Sequence, residues 1–581
     1  MSVATKIWTQ ATERPTARFL TIAEKHYQYV ELLRHVEAYI NCFDAHNLKE
    51  GDRVLIAKTS DAEAIFVFIA ALLDGLVPVM MSPATKAIRL KAVFEKTGPK
   101  LSFVDEAFHD VAGSTQVPQV SLKGGLFNKL GLGKVYKTRP PRLPKSTNQL
   151  AYILFTSGST QTPKGVMITH GNLDANLRSI SGVLSISNQS RVFNDLQLAH
   201  ADGLIQGPVL AAFNGAHCLR FGGFQIERLE NWLNYIKRQK ATHCIAVPTI
   251  WAMIDQLAQF DDYFLADHFQ SLVSVADKLP AELWERLELK FKRPLISQYG
   301  LTETVASALY AGQTNKLNTP KNLGVPIDCE AKIVDPNAHG EGELYLRGAN
   351  IFKGYWKDDL QTREALDDDW LKTGDIARRN EDGSFSFCGR QKNVLMTGGR
   401  LIRPEEVEEA ALRHPQIQEA ILVGLEDKQF GDVSALAVVV SNNLTVRQIY
   451  SHLEAELEPA LVPHAIHLVE KLPQNLAGKL SRAHVKEMII GHTEKQPATA
   501  DAGQDIDKQI IRLIAIQFRL DLENMSLTAT ADDIAAWDSF SSLNLIMALE
   551  QEFEVKLRAS QVTRIKTLND FIVETKRSME A

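Results

Sequence analysis

Cysteine is scarce and scattered: five residues in 581 (Cys42, Cys218, Cys244, Cys329 and Cys388). The number is odd and no two stand as CxxC, so neither a disulfide framework nor a zinc site is indicated, and buried thiols are the plain reading. Long hydrophobic runs are missing too. The longest, Ala64 to Leu73, stops at Asp74 and Gly75, well short of the 18 or so residues a spanning helix needs, so no membrane span is expected. The opening stretch MSVATKIWTQATERP has no apolar core of the secretory kind, and a cytoplasmic protein is the expectation. Charge of one sign is not in excess either: 64 basic and 70 acidic residues leave a net −6, which offers nucleic acid no general attraction. There is no internal repeat and no low-complexity run, and 45% hydrophobic with 23% charged residues is globular composition.

At roughly 100 to 200 residues per domain, this length predicts about three or four folding units. Short β-branched and aromatic runs such as RVLIAK, CIAVPTI and LISQYG alternate with helical stretches such as YVELLRHVEAYINCF, which argues for layered α/β structure with buried strands. Near Gly389 a strand-like run, SFSFCGRQKNVLM, gives way to LIRPEEVEEAALRHPQIQEAILVGL, read as strand, helix from Pro404, then strand, the start of a small α/β domain. Between Glu494 and Gln504 lies EKQPATADAGQ, a flexible connection whose coil reach is roughly 20 Å. From Gln504 onward nine basic residues face thirteen acidic ones, so the tail is a separate acidic unit. The stretch Lys123 to Lys145 has seven basic residues and no acidic one. It reads as a solvated loop, with an electrostatic seat for the acidic tail as the alternative.

The chemistry starts at FTSGSTQTPKGV, Phe155 to Val166, which follows the apolar strand LAYIL. Its hydroxyls and closely approachable N–H groups suit phosphate oxygens, with Lys164 as a point charge, but it fails the Walker pattern. It resembles the TSGSTGxPKG signature of the adenylate-forming superfamily of acyl-CoA synthetases, luciferases and nonribosomal peptide synthetase adenylation domains, with Gln161 in place of the usual second Gly. The family's other motifs follow in order over about 330 residues: SQYGLTET at Ser297 to Thr304, KTGD at Lys372 to Asp375, GRQKNVLMTGG at Gly389 to Gly399 and LPQNLAGKLSR at Leu472 to Arg482.

The resemblance implies ATP and Mg²⁺ as cofactors and gives each matched residue a role. Thr156, Ser157, Gly158, Ser159, Thr160 and Lys164 would cradle phosphates. Tyr299 would lie against adenine, Thr302 would contact the α-phosphate and Glu303 would hold Mg²⁺, a carboxylate suiting a hard cation. Asp375 would accept from the ribose hydroxyls, Arg390 would contact the ribose, Lys392 would be the pivot of the small domain and Lys479 would meet the carboxylate and α-phosphate. Attack on the α-phosphorus builds negative charge there and on departing pyrophosphate, so fixed cations are what the step needs. The small domain bearing Lys479 must then turn aside to admit a thiol.

In the tail, WDSFSSLNLIMALEQEFEVKL (Trp537 to Leu557) has apolar residues at 540, 543, 546, 547, 549 and 553, a helical stripe begun by Ser539. Taken alone, that serine is an N-cap. The segment also resembles the DSL site of acyl carrier proteins, which implies 4′-phosphopantetheine on Ser539, a phosphopantetheinyl transferase as partner and a downstream enzyme that accepts the carried acyl group. A carrier tethered in cis meets the site at high effective concentration. The fold class expected is therefore α/β: a large layered α/β adenylation core over 1–389, a small α/β lid over 390–493, a linker over 494–503 and an all-α helical-bundle carrier domain over 504–581.

The resemblance implies a small-molecule carboxylic acid as substrate. LQLAHADGLI, Leu196 to Ile205, aligns with the acyl-CoA-synthetase pocket motif FHxxGL, placing His200 at the gate between acyl pocket and nucleotide. Amino-acid-activating relatives carry an Asp where Ala201 stands, with Asp202 one residue out of register. Val275 stands where relatives often have Gly, in SVADKLP. The expectation is a medium- or long-chain fatty acid, with amino-acid or aryl-acid loading for a peptide or polyketide pathway as the alternative.

Overall fold

The computed structural model describes the chain apart from residues 1, 84, 86, 106–116, 120–138, 157–162, 226–227, 314–317, 320–321, 392–394, 398–399, 403, 428–430, 442–443, 458–460, 474–479, 496–505, 519, 521–524, 531–532, 535–544, 547–548, 551, 554, 558–560, 562–563 and 580–581. The chain folds as two compact units, Met1–Ile489 and Ile490–Ala581.

The first unit is layered α/β, as the alternation of short apolar runs requires. In a ten-stranded sheet, Leu295–Tyr299, Ser271–Ser274, His243–Ala246, Arg191–Asn194, His217–Arg220 and Arg18–Ile22 lie side by side and parallel. A six-stranded sheet sets Leu150–Thr156, Val77–Met80, Arg53–Ala57 and Leu101–Val104 in parallel and adds Lys164–Thr169 antiparallel at one side. One hydrophobic core draws on both sheets, taking Phe19, Leu20 and Val192 from the first and Val54, Ile56, Leu154 and Val166 from the second. The helices Tyr29–Ala45, Asp61–Leu73 and His170–Leu184 contribute to the same core.

The helix Asp61–Leu73 explains the longest apolar run. All ten residues from Ala64 to Leu73 are buried, so the helix is apolar all round because no side of it meets water. The run ends where it does because Asp74, itself 0% exposed, receives Arg139 (2.6 Å) and Arg142 (2.9 Å). That corrects the solvated-loop expectation at two of its seven basic positions: Arg139 also reaches Asp44 at 2.7 Å, so both arginines are pinned ion-pair partners. Lys123 to Lys137 of that loop lie outside the described residues.

A five-stranded antiparallel sheet follows, containing Glu341–Gly348, Trp370–Arg379 and Phe385–Arg390. Beyond it the strand–helix–strand order read from LIRPEEVEEAALRHPQIQEAILVGL appears as Arg400–Ile402, Pro404–Leu412 and Ile417–Asp427, in a second five-stranded sheet with its own core around Val407, Leu422 and Leu436. CIAVPTI is only half a strand: His243–Ala246 is extended, and Pro248 then opens the helix Pro248–Leu257, because proline pre-sets φ for a first helical turn. Cys42, Cys218 and Cys244 are buried and Cys329 and Cys388 half-buried.

In the second unit, the helices Ile506–Gln517 and Leu568–Met579 share a core with Ile510, Ile514, Phe518, Leu549 and Phe571. Leu545, which the expected stripe left out, is fully buried, so the buried face there runs through Leu545, Ile546 and Leu549. Among the described residues, no helix is long and apolar enough to cross a membrane.

Candidate active site

Two hairpins carry the first two motifs. Leu150–Thr156 and Lys164–Thr169 pair antiparallel with Thr156 opposite Lys164, so the Ser/Thr/Gly run is the connection between two strands and Lys164 stands at its exit. Leu295–Tyr299 and Leu309–Gln313 pair likewise, and YGLTET lies in their connection, closed by the Ala308 N–H on the Tyr299 carbonyl (2.8 Å). A Cβ on Gly300 would overlap the Ala306 carbonyl, so only glycine lets the connection fold back on itself. Thr302–Thr304 make a single 3-10 turn. Val305, buried at φ +71 and ψ −66, then sits at the centre of a γ-turn closed by the Ala306 N–H on the Thr304 carbonyl (3.0 Å). A β-branched residue with positive φ is strained, and the strain falls two residues from Glu303.

The helix His170–Leu184, which continues directly from the first hairpin, braces the second. Asn172 Nδ2 donates to the carbonyls of Ala349 (2.8 Å) and Ile351 (2.7 Å), and Asn176 Nδ2 to that of Ser307 (2.6 Å). Asn172 and Asn176 are four apart and so share one helix face.

Three motif residues far apart in the chain meet in one hydrogen-bonded group. The Tyr299 hydroxyl donates to Asp375 Oδ2 at 2.6 Å, and Arg390 Nε lies 3.0 Å from Asp375 Oδ1. Asp375 is 2% exposed. Strand pairing sets it directly across from Arg390, and Gly374 precedes it at φ +71, a left-handed bend that glycine adopts without strain. Burial of the phenol, and then the adjacent Asp375 carboxylate, push Tyr299 ionisation well above its ordinary value, so the hydroxyl remains a donor.

Glu303 and Lys164 form a second group around a residue absent from the sequence expectations. The Tyr355 hydroxyl donates to Glu303 Oε1 at 2.7 Å, Lys164 Nζ stands 5.2 Å from the Tyr355 ring centroid, and Lys164 also bonds Gln361 Oε1. The signal available in the sequence was FKGYW, a glycine followed by two aromatics, placed between the second and third motifs. Among the described residues no other group bonds Glu303 Oε2, and a free carboxylate oxygen suits a hard divalent cation.

His200 stands elsewhere, as the N-cap of the short helix Ala201–Leu204 after Arg191–Asn194, with two strands between that strand and Leu295–Tyr299. Asp202 Oδ1 accepts from Gln206 Nε2 at 2.9 Å, and Val275 is fully buried. In the small α/β domain Arg482 donates to the Leu422 carbonyl (2.6 Å) and Glu408 Oε2 (2.8 Å), and the Ser481 N–H to the Pro473 carbonyl (3.0 Å). These bonds tie down the two sides of the stretch that contains Lys479. Ser157, Gly158, Ser159, Thr160, Gln161, Lys392, Lys479 and Ser539 lie outside the described residues.

The sequence profile of the AMP-binding enzyme family matches residues 7–356, and that of the AMP-binding enzyme C-terminal domain matches 406–479. The chain is similar to the medium-chain fatty-acid–CoA ligase of Escherichia coli, with 26% identity over 83% of this chain and 89% of that protein. It is also similar to a feruloyl-CoA synthase of Amycolatopsis (25% identity, 79% and 93% of the two chains) and to a 2-succinylbenzoate–CoA ligase of Bacillus pumilus (29%, 58% and 69%). Its fold is similar to that of o-succinylbenzoate coenzyme A synthetase from Bacillus subtilis, solved with ATP and magnesium ion (TM-score 0.73, 23% identity, 83% of this chain and 99% of that one).

Proposed function

We propose, from the premise that this chain belongs to the AMP-binding enzyme family, that it activates a carboxylic acid with ATP as an acyl-adenylate and passes the acyl group to a thiol on its own C-terminal unit. The observation that carries the first half is the Tyr299–Asp375–Arg390 group, because it joins three separate motifs into one hydrogen-bonded cluster.

In this reading the Tyr299 ring lies against adenine and Asp375, oriented by Tyr299 and Arg390, accepts from ribose hydroxyls. Lys164 and the run Thr156 to Thr160 hold phosphate oxygens, and Thr302 contacts the α-phosphate. Glu303 would hold Mg²⁺, which supplies fixed positive charge where the departing pyrophosphate becomes negative. Lys479 meets the substrate carboxylate and the α-phosphate, and Lys392 is the pivot that carries Lys479 away afterwards. Ser539 would carry 4′-phosphopantetheine, which supplies the accepting thiol. A phosphopantetheinyl transferase and a downstream acyl-accepting enzyme are then partners.

A medium- or long-chain fatty acid is the substrate class favoured, supported by the similarity to a medium-chain fatty-acid–CoA ligase and by the apolar Val275. The bond from Gln206 to Asp202 weighs against Asp202 as a partner for a substrate ammonium. Two observations favour a second reading. Relatives include ligases named for feruloyl and succinylbenzoate substrates, which keeps an aryl acid in view, and the named relatives are CoA ligases, which keeps free CoA in view as acceptor.

The test is intact mass after pantetheinylation and incubation with ATP, Mg²⁺ and a panel of alkyl, aryl and amino acids. One alkyl acyl mass added, and absent in Ser539→Ala, is the expected result. Adenylation that persists in the wild type without any mass gain, but with acyl-CoA formed when CoA is added, would refute self-loading.

A further inference from the structure

The two hairpins of the site are tied to each other, because the segment 352–362 is bonded to both. The Phe352 N–H donates to the Glu303 carbonyl (2.8 Å) in the second hairpin. Lys353 and Trp356 N–H groups donate to the Met167 (3.0 Å) and Gly165 (2.7 Å) carbonyls in the first, and Gly354–Tyr355 adds to that hairpin as an antiparallel edge strand. Tyr355 sits at the middle of this bridge, its N–H held by Thr362 Oγ1 (2.9 Å) and its ring set edge-on to Phe352 with centroids 4.9 Å apart. The side chain thus has a fixed ring and a hydroxyl delivered to Glu303 Oε1 at 2.7 Å.

We infer that Tyr355 is a positioning residue for the cation–phosphate half of the site: its hydroxyl fixes the Glu303 carboxylate with Oε1 occupied and Oε2 left for the metal, while its ring seats the Lys164 ammonium. This rests on the roles proposed for Glu303 and Lys164. The physical need is plain. The terminal torsion of a glutamate is broad and nearly two-fold, so an unheld carboxylate spreads over orientations that a metal must select at an entropic cost. A partner that holds a ligating carboxylate is worth about 10- to 100-fold in metal affinity. The ring contact is the weaker attraction of a cation for a π face, and it keeps Lys164 near the loop exit before phosphate arrives.

The full-length protein separates these two functions of one side chain. Tyr355→Phe keeps the ring over Lys164 and deletes the hydroxyl, whereas Tyr355→Leu deletes both. Free Mn²⁺, read by electron paramagnetic resonance during titration of the protein–ATP mixture, reports metal affinity, and calorimetry with ATP in EDTA reports nucleotide affinity without metal. Tyr355→Phe is expected to weaken Mn²⁺ roughly tenfold with metal-free ATP binding unchanged, and Tyr355→Leu to weaken both. In a Glu303→Gln background the added Tyr355→Phe change should have no further effect on Mn²⁺. Wild-type Mn²⁺ affinity in Tyr355→Phe, alongside a defect in Glu303→Gln, overturns the Tyr355 inference and leaves the Glu303 role intact. Equal losses with and without metal in Tyr355→Phe overturn it as general packing damage. No defect in Glu303→Gln removes the Glu303 role, and the inference with it.

Discussion

Replacing Asp375 with asparagine isolates what its charge does, since the shapes are nearly the same. In the structure each carboxylate oxygen has a donor, the Tyr299 hydroxyl at 2.6 Å on Oδ2 and Arg390 Nε at 3.0 Å on Oδ1, and the residue is 2% exposed. An amide has one acceptor oxygen. Arg390 has only donors, so that oxygen must turn to the guanidinium, leaving the NH₂ facing Tyr299, whose hydroxyl rotates to accept. Geometry survives, but the negative charge and the capacity to accept from ribose on both sides do not. A hydrogen bond to a charged group is worth about 1.5–3 kcal/mol, and taking about 2 kcal/mol as the loss gives roughly a thirtyfold rise in the ATP KM. ATP–pyrophosphate exchange at varied ATP measures it, and 2′,3′-dideoxy-ATP supplies the control: wild type should prefer ATP strongly and Asp375→Asn should have lost most of that preference. An unchanged ATP KM, or a variant that still discriminates against the dideoxy nucleotide as wild type does, would refute the ribose role.

Two further predictions concern stability. His170 is 0% exposed, neither of its ring nitrogens is hydrogen-bonded among the described residues, and burial lowers its pKa from 6.5 to about 4. The unfolded chain therefore takes up the proton first, so the stability from this group is complete above about pH 6.5 and falls as pH drops toward 4, by roughly 3 kcal/mol; His170→Leu should flatten that limb in urea unfolding followed between pH 7 and 4, and parallel curves would refute the assignment. Asp74→Ala leaves the Arg139 and Arg142 guanidinium groups without the buried carboxylate they share, and since both are partly solvated the loss should fall near 3 kcal/mol, the lower end of the range for breaking such pairs; a change under about 0.5 kcal/mol in the unfolding free energy would show that the network is not structural.

How far the site was legible follows from the distances in chain over which each contact acts. The motif residues could be read because each sits in a short run with its own chemistry, and Tyr299, Asp375 and Arg390 are joined directly. The layered α/β order was legible for the same reason, since strand and helix periods are local. Tyr355 was not, because its meaning lies in Glu303, 52 positions earlier, and nothing adjacent to FKGYW announces a carboxylate. In the sequence Asp74 is only the stop to an apolar run; in the fold it is the centre of an ion-pair network with Arg139 and Arg142, more than sixty positions later. The strain at Val305 had no sequence signal at all: a valine with positive φ is held by the hairpin closure around it and by the bond from Asn176 to Ser307.

The proposed pair of half-reactions also constrains how tightly the small α/β domain can grip the core, because in that reading the domain bearing Lys479 turns about Lys392 between them. Contacts across that boundary should be weak and contacts inside the small domain strong. The bond from Lys278 Nζ in the core to Glu409 Oε1 joins side chains 37% and 51% exposed, a kind of pair worth about 0–1 kcal/mol in water, so thermal motion and salt can release it. Inside the domain Arg482 is bonded to Glu405 at 3.2 Å, to Glu408 at 2.8 Å and to the Leu422 carbonyl at 2.6 Å, with Glu405 and Glu408 side chains only 15% and 13% exposed. Burial raises the cost of breaking such an arrangement to several kcal/mol. In the proposed reading, Arg482, three residues beyond Lys479, is anchored inside the small domain, and the exchange between half-reactions falls to the pivot proposed at Lys392.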